Sequence, residues 1–317
     1  MESFRALVNE YFFAATKQPV DAVPVMQRSW ESQSLSLVTK IQRQLRVTEA
    51  LCGKKTPTFD ELQAVRSHQL EQEEGDLQQA ALEGLLPLIR SLRALEHSRV
   101  FHSQLHDNLR TSGLCVKYTT TNFAYGSTPF STWRRVCEAE PLQRVARLLK
   151  HPLLSERDTL SSKKDSDNQN DENATARIAT PCVIFGSSTG SLVFFTTKLL
   201  GLPTTGVEIV PFLHHVASEL GKTHGLDQCQ FLNCDMLSTQ LGDTRVVVLT
   251  SLCWDEGLYA AVQEQLARQL SPGALVIDYR DGLLRGSAPQ FALVHQLQGL
   301  PVSWHQEAQC ISILEKL

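Results

Sequence analysis

The chain of 317 residues has no apolar run near the roughly 20 residues that a membrane-spanning helix needs. Its first stretch, MESFRALVNEYFF, carries charges where a secretion signal would be apolar. A soluble, intracellular protein is therefore expected. Basic residues are not in excess: 30 Lys and Arg stand against 34 Asp and Glu, a net charge of −4. That balance offers no strong footprint for a nucleic-acid backbone. The eight cysteines, Cys52, Cys115, Cys137, Cys182, Cys229, Cys234, Cys253 and Cys310, include no CxxC pair and no His at ligand spacing. No metal site is expected, and the thiols should be free and mostly buried. With 17 Gly and 13 Pro the chain is neither collagen-like nor of low complexity.

Four segments differ in character. Residues 1–115 repeat apolar positions at helical spacing: Phe4, Leu7, Val8, Tyr11 and Phe12; Leu35, Val38, Ile41 and Leu45; Leu85, Leu88, Ile89, Leu92 and Leu95. An all-α subdomain is predicted there, broken near Pro19–Pro24, Gly53–Pro57 and Gly113. Residues 116–154 read as a loop and helices, with one basic stripe, Arg134, Arg135, Arg144, Arg147 and Lys150, as a solvated face. Residues 155–180 form a polar linker; Leu160 is the single large apolar side chain up to Arg177, too little burial to offset ordering.

From residue 181 short apolar strands alternate with helices, the pattern of an open, mostly parallel α/β sheet. Strands are expected at Cys182–Phe185, Thr205–Ile209, Cys229–Asn233, Arg245–Thr250, Ala274–Tyr279, Pro301–His305 and Cys310–Leu314. Helices are expected at Ser191–Leu200, Pro211–Leu220, Glu256–Gln269 and Pro289–Leu297. The last two strands are separated only by Gln306–Gln309, too short for a parallel crossover, so they form an antiparallel hairpin.

Four features fall at carboxyl ends of consecutive strands, where open α/β sheets bind ligands. Phe185-Gly186-Ser187-Ser188-Thr189-Gly190 is a small-residue turn that opens a helix and lets a ligand approach the backbone; a tight strand-to-helix turn explains it equally well. Glu208, with Ile209 after it, lies 18 residues past Gly190, where an acid can accept from both hydroxyls of a ribose. Asp235 and Met236 follow the third strand, and Thr250, Ser251 and Trp254 follow the fourth. A pyrophosphate-binding turn would carry Gly at the place of Ser188, which disfavours a nicotinamide cofactor.

This layout resembles the seven-stranded S-adenosylmethionine-dependent methyltransferases, and within them the non-SET histone-lysine methyltransferases of the disruptor-of-telomeric-silencing (Dot) type. The similar stretches are Tyr125-Gly126-Ser127-Thr128-Pro129-Phe130, Gly186–Gly190, Gly206-Val207-Glu208, Cys234-Asp235-Met236-Leu237, Pro301–Trp304 and Ile311–Glu315. The resemblance covers residues 118–317. The resemblance implies a Rossmann-like methyltransferase sheet closed by an antiparallel hairpin and preceded by an all-α subdomain. It implies S-adenosyl-L-methionine as cofactor, with S-adenosyl-L-homocysteine as product and no metal. Gly126 and Thr128 would cover the methionine half, and Phe185, Gly186, Ser188 and Gly190 would line its carboxylate and ribose. Glu208 and Ile209 would meet the ribose, Asp235 and Met236 the adenine, and Thr250 the transfer channel. Tyr125, Ser251 and Trp254 would shape the acceptor channel, and the acceptor would be a lysine of a protein such as a histone in a nucleosome. Thr128 also reads as a helix N-cap before Pro129. Ile184 stands where the family has an acid, and Ser251 where it has an Asn. Methylation of another protein or a metabolite, or a non-catalytic interaction module of this fold, are the alternatives.

Overall fold

The computed structural model describes residues 77–78, 80–81, 83–96, 98–123, 127–150, 176–284, 290–302 and 305–317. The chain divides into two units, Met1–Gln72 and Glu73–Leu317, and every described residue belongs to the second. The helical spacing at Phe4–Phe12 and Leu35–Leu45, the breaks at Pro19–Pro24 and Gly53–Pro57, and Leu160 lie outside the described residues.

Helices α1 (Leu86–Glu96), α2 (Arg99–Thr111) and the single turn α3 (Leu114–Lys117) come first. α1 buries Leu88, Ile89 and Leu92, the stripe its spacing predicts, and Gly113, at φ 70°, separates α2 from α3. Two further helices follow, α4 (Phe130–Cys137) and α5 (Glu140–Lys150). The sheet domain then runs β1 (Ala176–Arg177), β2 (Cys182–Phe185), α6 (Ser191–Leu200), β3 (Thr204–Glu208), α7 (Pro211–Thr223) and β4 (Cys229–Asn233). It continues through β5 (Thr239–Gln240), β6 (Val246–Leu249), α8 (Glu256–Gln269), β7 (Leu275–Asp278), β8 (Phe291–Val302) and β9 (His305–Lys316).

Seven strands form one sheet in the order β4-β3-β2-β6-β7-β9-β8, and β1 pairs with β5 apart from it. The first five strands of that order are parallel, while β9 runs antiparallel to both β7 and β8. The central strands β2, β6 and β7 are buried throughout, as continuous apolar strands covered on both faces must be. Alternate side chains divide between two layers. Cys182, Ile184, Val246, Val248, Leu275 and Ile277 pack with α1, α4, α5 and α6; Val183, Phe185, Val247, Leu249 and Val276 pack with α8. A smaller cluster joins Phe101 and Leu105 of α2 to Val210 and Leu213 at the start of α7.

The terminal hairpin is present, but its strands differ from the expected ones. Residues Phe291–Leu297, expected as a helix, lie in β8, which reaches Val302, and β9 resumes at His305. Register shifts at Leu293/His295, Leu297/Leu300 and Leu300/Val302 break the two-residue alternation that marks a strand, and pairing with β9 overrides helical spacing. Thr128 is not the N-cap of α4: Pro129 occupies that place and Phe130 opens the helix. At the end of the polar linker, Ala176–Arg177 pair with Thr239–Gln240, and Ile178 and Thr180 are buried. Of the seven described cysteines only Cys137 and Cys182 are buried; Cys115 is exposed and the others are intermediate, so the thiols are free but not mostly buried.

Candidate functional site

The sheet order reverses between β2 and β6, since β3 and β4 extend to one side of β2 and β7 lies on the far side of β6. A crevice opens at the carboxyl ends of strands at such a reversal. Its floor is the turn after β2. Gly186 adopts φ 72°, and a Cβ there would overlap the Thr250 hydroxyl. Thr250 Oγ1 donates to the Phe185 carbonyl at 2.9 Å and lies 3.2 Å from that of Gly186, joining the ends of β2 and β6. In β3 a Cβ on Gly206 would come within 2.7 Å of Ser187, so glycine lets the turn rest against the strand.

Glu208, the last residue of β3, is buried and faces this turn. Its Oε2 accepts from the Ser188 amide at 2.7 Å and its Oε1 from the Val210 amide at 2.9 Å. Burial pushes its carboxyl up, the amides at Val210 and Ser188 oppose that, and the net displacement is upward.

One strand further, Asp235 caps a single 3₁₀ turn, its Oδ1 accepting from the Leu237 amide at 2.9 Å. Its Oδ2 accepts from Lys117 Nζ and from the Tyr118 hydroxyl, each at 2.5 Å. Burial raises the Asp235 carboxyl, but these partners outweigh it and hold the acid below its usual range. The Tyr118 phenol is pushed up to about 12, first by burial and then by Asp235. Residues 118–123 continue as a strap over the cleft. Thr119 and Asn122 each donate to Asp255 Oδ2 at 2.8 Å, and the Asp255 amide donates back to Asn122 Oδ1 at 2.7 Å. Asp255 Oδ1 meanwhile caps α8 through the Leu258 amide.

The opposite end lies past β6 and β7. Trp254 forms part of its wall, and the hydroxyls of Thr128 and Tyr279 share a hydrogen bond of 2.6 Å. Burial pushes the Tyr279 phenol up, so it stays neutral. Behind this wall Asp278 accepts from Ser251 Oγ, from the Tyr259 hydroxyl at 2.5 Å and from the Arg280 amide at 3.2 Å. Burial raises the Asp278 carboxyl despite those donors. The Arg280 guanidinium lies 4.2 Å from the Tyr259 ring centre and donates to the Trp254 carbonyl at 3.1 Å.

The cleft encloses about 380 Å³, the size of a small-molecule site. It brings together Thr128, Gly186, Ser188, Glu208, Ile209, Asp235, Met236, Thr250 and Trp254 from the residues expected there. Phe185 is wholly buried beneath the turn, and Gly190 caps α6 against Phe194 and Phe231. Ser251 is wholly buried behind the wall, tied to Asp278. Tyr125 and Gly126 lie outside the described residues.

Lys117, Tyr118, Asn122, Asp278 and Tyr279 are not among the site residues expected from the sequence. The acid-after-strand pattern that marked Glu208 and Asp235 applies equally to Asp278; Tyr118 meets its partner 117 residues away and leaves no local signal. The basic stripe is largely neutralised by ion pairs of Arg134 with Glu138, Arg144 with Glu315 and Arg147 with Glu140. Among the described residues no group of three or more His, Cys, Asp and Glu could hold a metal ion, and no helix is long and apolar enough to cross a membrane.

No family model and no curated protein matches the chain. Solved structures similar to it include an RNA methyltransferase from Salinibacter ruber in complex with S-adenosyl-L-homocysteine, at 21% identity over 43% of this chain and 79% of that one, with a TM-score of 0.35. TrmN from Thermus thermophilus is 20% identical over 59% of this chain and 52% of its own, with a TM-score of 0.35. Magnesium protoporphyrin IX methyltransferase from Synechocystis, with bound S-adenosylmethionine, is 13% identical over 59% and 91%, with a TM-score of 0.36. Likeness at this level does not bear on activity; the fold rests on the chain's own strand order and hairpin.

Proposed function

We propose that the unit Glu73–Leu317 is an S-adenosylmethionine-dependent methyltransferase whose cofactor lies along the cleft at the carboxyl edge of the sheet. The observation that carries this reading is Glu208: a buried carboxylate held by two backbone amides, in a cleft whose described lining contains no Lys, Arg or His. Such a site repels a pyrophosphate and favours vicinal hydroxyls and a cationic sulfonium. Each Glu208 oxygen accepts one amide and keeps a lone pair for a ribose hydroxyl. Asp235 Oδ1 keeps one for the amino group of a purine, and Ile209 and Met236 offer apolar surface to its faces.

When bound, the cofactor supplies a methyl group on a positively charged sulfur. The chain positions and shields it: Gly186 and Thr250 form the floor, and Tyr118, Asn122 and Phe123 cover it. The finer reading, transfer to a lysine of a protein such as a histone, is supported by the Dot-type sequence resemblance. A different acceptor, another protein or a metabolite, is favoured by Ser251, whose buried hydroxyl is committed to Asp278 and does not line the cleft.

Isothermal titration of the purified chain with S-adenosylmethionine and S-adenosylhomocysteine tests the cofactor site. Micromolar binding of both is expected, weakened in Glu208→Gln by about ten- to hundredfold, the worth of hydrogen bonds to a charged group. No heat at millimolar ligand would leave an interaction module of this fold. Methyl transfer to nucleosomes and free histones then separates the lysine reading from other acceptors.

A further inference from the structure

The two ends of the cleft differ in charge. At the ends of β3 and β4 stand the carboxylates of Glu208 and Asp235. At the ends of β6 and β7 every described lining side chain is neutral, among them Thr128, Thr250, Leu252, Trp254 and Tyr279. The hydroxyls there already have partners, since Thr250 donates to the Phe185 carbonyl and Thr128 bonds to Tyr279. Under the turn, residue 184 is an isoleucine, fully buried in an apolar layer.

With the nucleoside at the carboxylate end, the amino-acid tail on the sulfur extends toward the neutral end. That tail is a zwitterion, with an ammonium and a carboxylate. It adds affinity only where charge-assisted partners replace its water, and without them its desolvation is unfavourable. Neither an acid for the ammonium nor a cation for the carboxylate lines that end among the described residues.

We propose that the cleft recognises its ligand through the nucleoside half alone, so that it binds 5′-thioether nucleosides as a class, with or without an amino-acid tail. The inference rests on the reading of the cleft as an S-adenosylmethionine site, and adds which half of the molecule is held. A nucleoside thioether such as 5′-methylthioadenosine then competes with the methyl donor on nearly equal terms.

The test is calorimetry of the full chain with S-adenosylhomocysteine, 5′-methylthioadenosine and L-methionine, each titrated separately. The expected result is a Kd for 5′-methylthioadenosine within about tenfold of that for S-adenosylhomocysteine, with no heat from L-methionine. One charge-assisted contact to the tail is worth about ten- to hundredfold, so a larger deficit overturns the inference while leaving the cofactor site in place. Silence from both nucleosides overturns the methyltransferase reading itself. A titration series from neutral to alkaline pH supplies a second readout. The affinity of S-adenosylhomocysteine, measured relative to that of 5′-methylthioadenosine, is expected to stay flat as its amino group loses charge. A fall seen only for the tailed ligand reveals a held ammonium and overturns the inference.

Discussion

Strands β3 and β4 lie side by side and each is followed or ended by a carboxylate, Glu208 and Asp235, yet the two acids are held in opposite ways. Glu208 is bound by backbone amides only two and twenty residues away, at the start of α7 and in the turn it faces. Asp235 accepts one local amide, from Leu237, but its other oxygen is bound by Lys117 and Tyr118, more than a hundred residues away. The first acid is built into the sheet without an ion pair among the described residues, and its charge is balanced only by amide dipoles. The second is the anchor of a strap, and its charge is largely spent on the chain itself. In the proposed function the acid without a counter-ion is the binding group, and the ion-paired one is first a structural tie.

Removing each carboxylate in turn separates the two roles. Glu208→Ala strands two amides, at Ser188 and Val210, and the loss of an acceptor by a buried donor costs about 1–3 kcal/mol. Relief of the buried charge offsets part of this, so a net loss of about 2–4 kcal/mol in unfolding free energy is expected. Asp235→Ala removes the cap of a single 3₁₀ turn, a partly exposed ion pair and the Tyr118 hydrogen bond, together about 1–2 kcal/mol. Urea unfolding of the two variants checks the order; an Asp235→Ala variant at least as unstable as Glu208→Ala would show that the strap, not the turn, carries the site.

The two acids also oppose each other in pH dependence. The carboxyl of Asp235 is depressed from 3.8 in the folded chain, so its stabilisation is present above that value and disappears as pH falls through the lower folded one. The carboxyl of Glu208 is raised from 4.5, so the folded state holds the proton more tightly and stability from this group falls as pH rises from 4.5 through the folded value. Unfolding of wild type, Asp235→Asn and Glu208→Gln at a series of pH values from about 3 to 7 reads both signs. On acidification the wild type is expected to lose ground to Asp235→Asn and gain it on Glu208→Gln. Curves that move in the same direction would refute the contrast.

Much of this arrangement is written in local pattern. Continuous apolar runs mark β2, β6 and β7, the stripe Leu88, Ile89 and Leu92 marks α1, and an acid after a strand marks both Glu208 and Asp235. What escapes is set by partners distant in sequence. The bulges of β8 make sense only against β9, and Thr128 reads as a cap until Tyr279 is seen beside it. The family resemblance implies a channel role for Ser251; the neighbouring strand, ending at Asp278, turns its hydroxyl inward. The strap from Tyr118 to Phe123 has no periodicity of its own, since its order comes from Asp235 and Asp255.

A subtler difference lies in the turn that Glu208 faces. Ser188 adopts φ 52° and is the only non-glycine residue with positive φ among those described. Left-handed backbone costs a residue with a Cβ roughly 1–2 kcal/mol, while glycine adds about 0.4–1 kcal/mol of unfolded-state entropy. Ser188→Gly is therefore expected to stabilise the chain by about 0.5 kcal/mol, measurable in urea. The conformation is imposed in part by the bond from the Ser188 amide to Glu208, so the gain should shrink when the substitution is made in Glu208→Ala, where the turn is free to relax. An equal gain in both backgrounds would mean that the turn holds its shape without the acid. Glu208 would then be a guest of the turn, and the preorganisation that distinguishes it from Asp235 would come from the strand-to-helix connection alone.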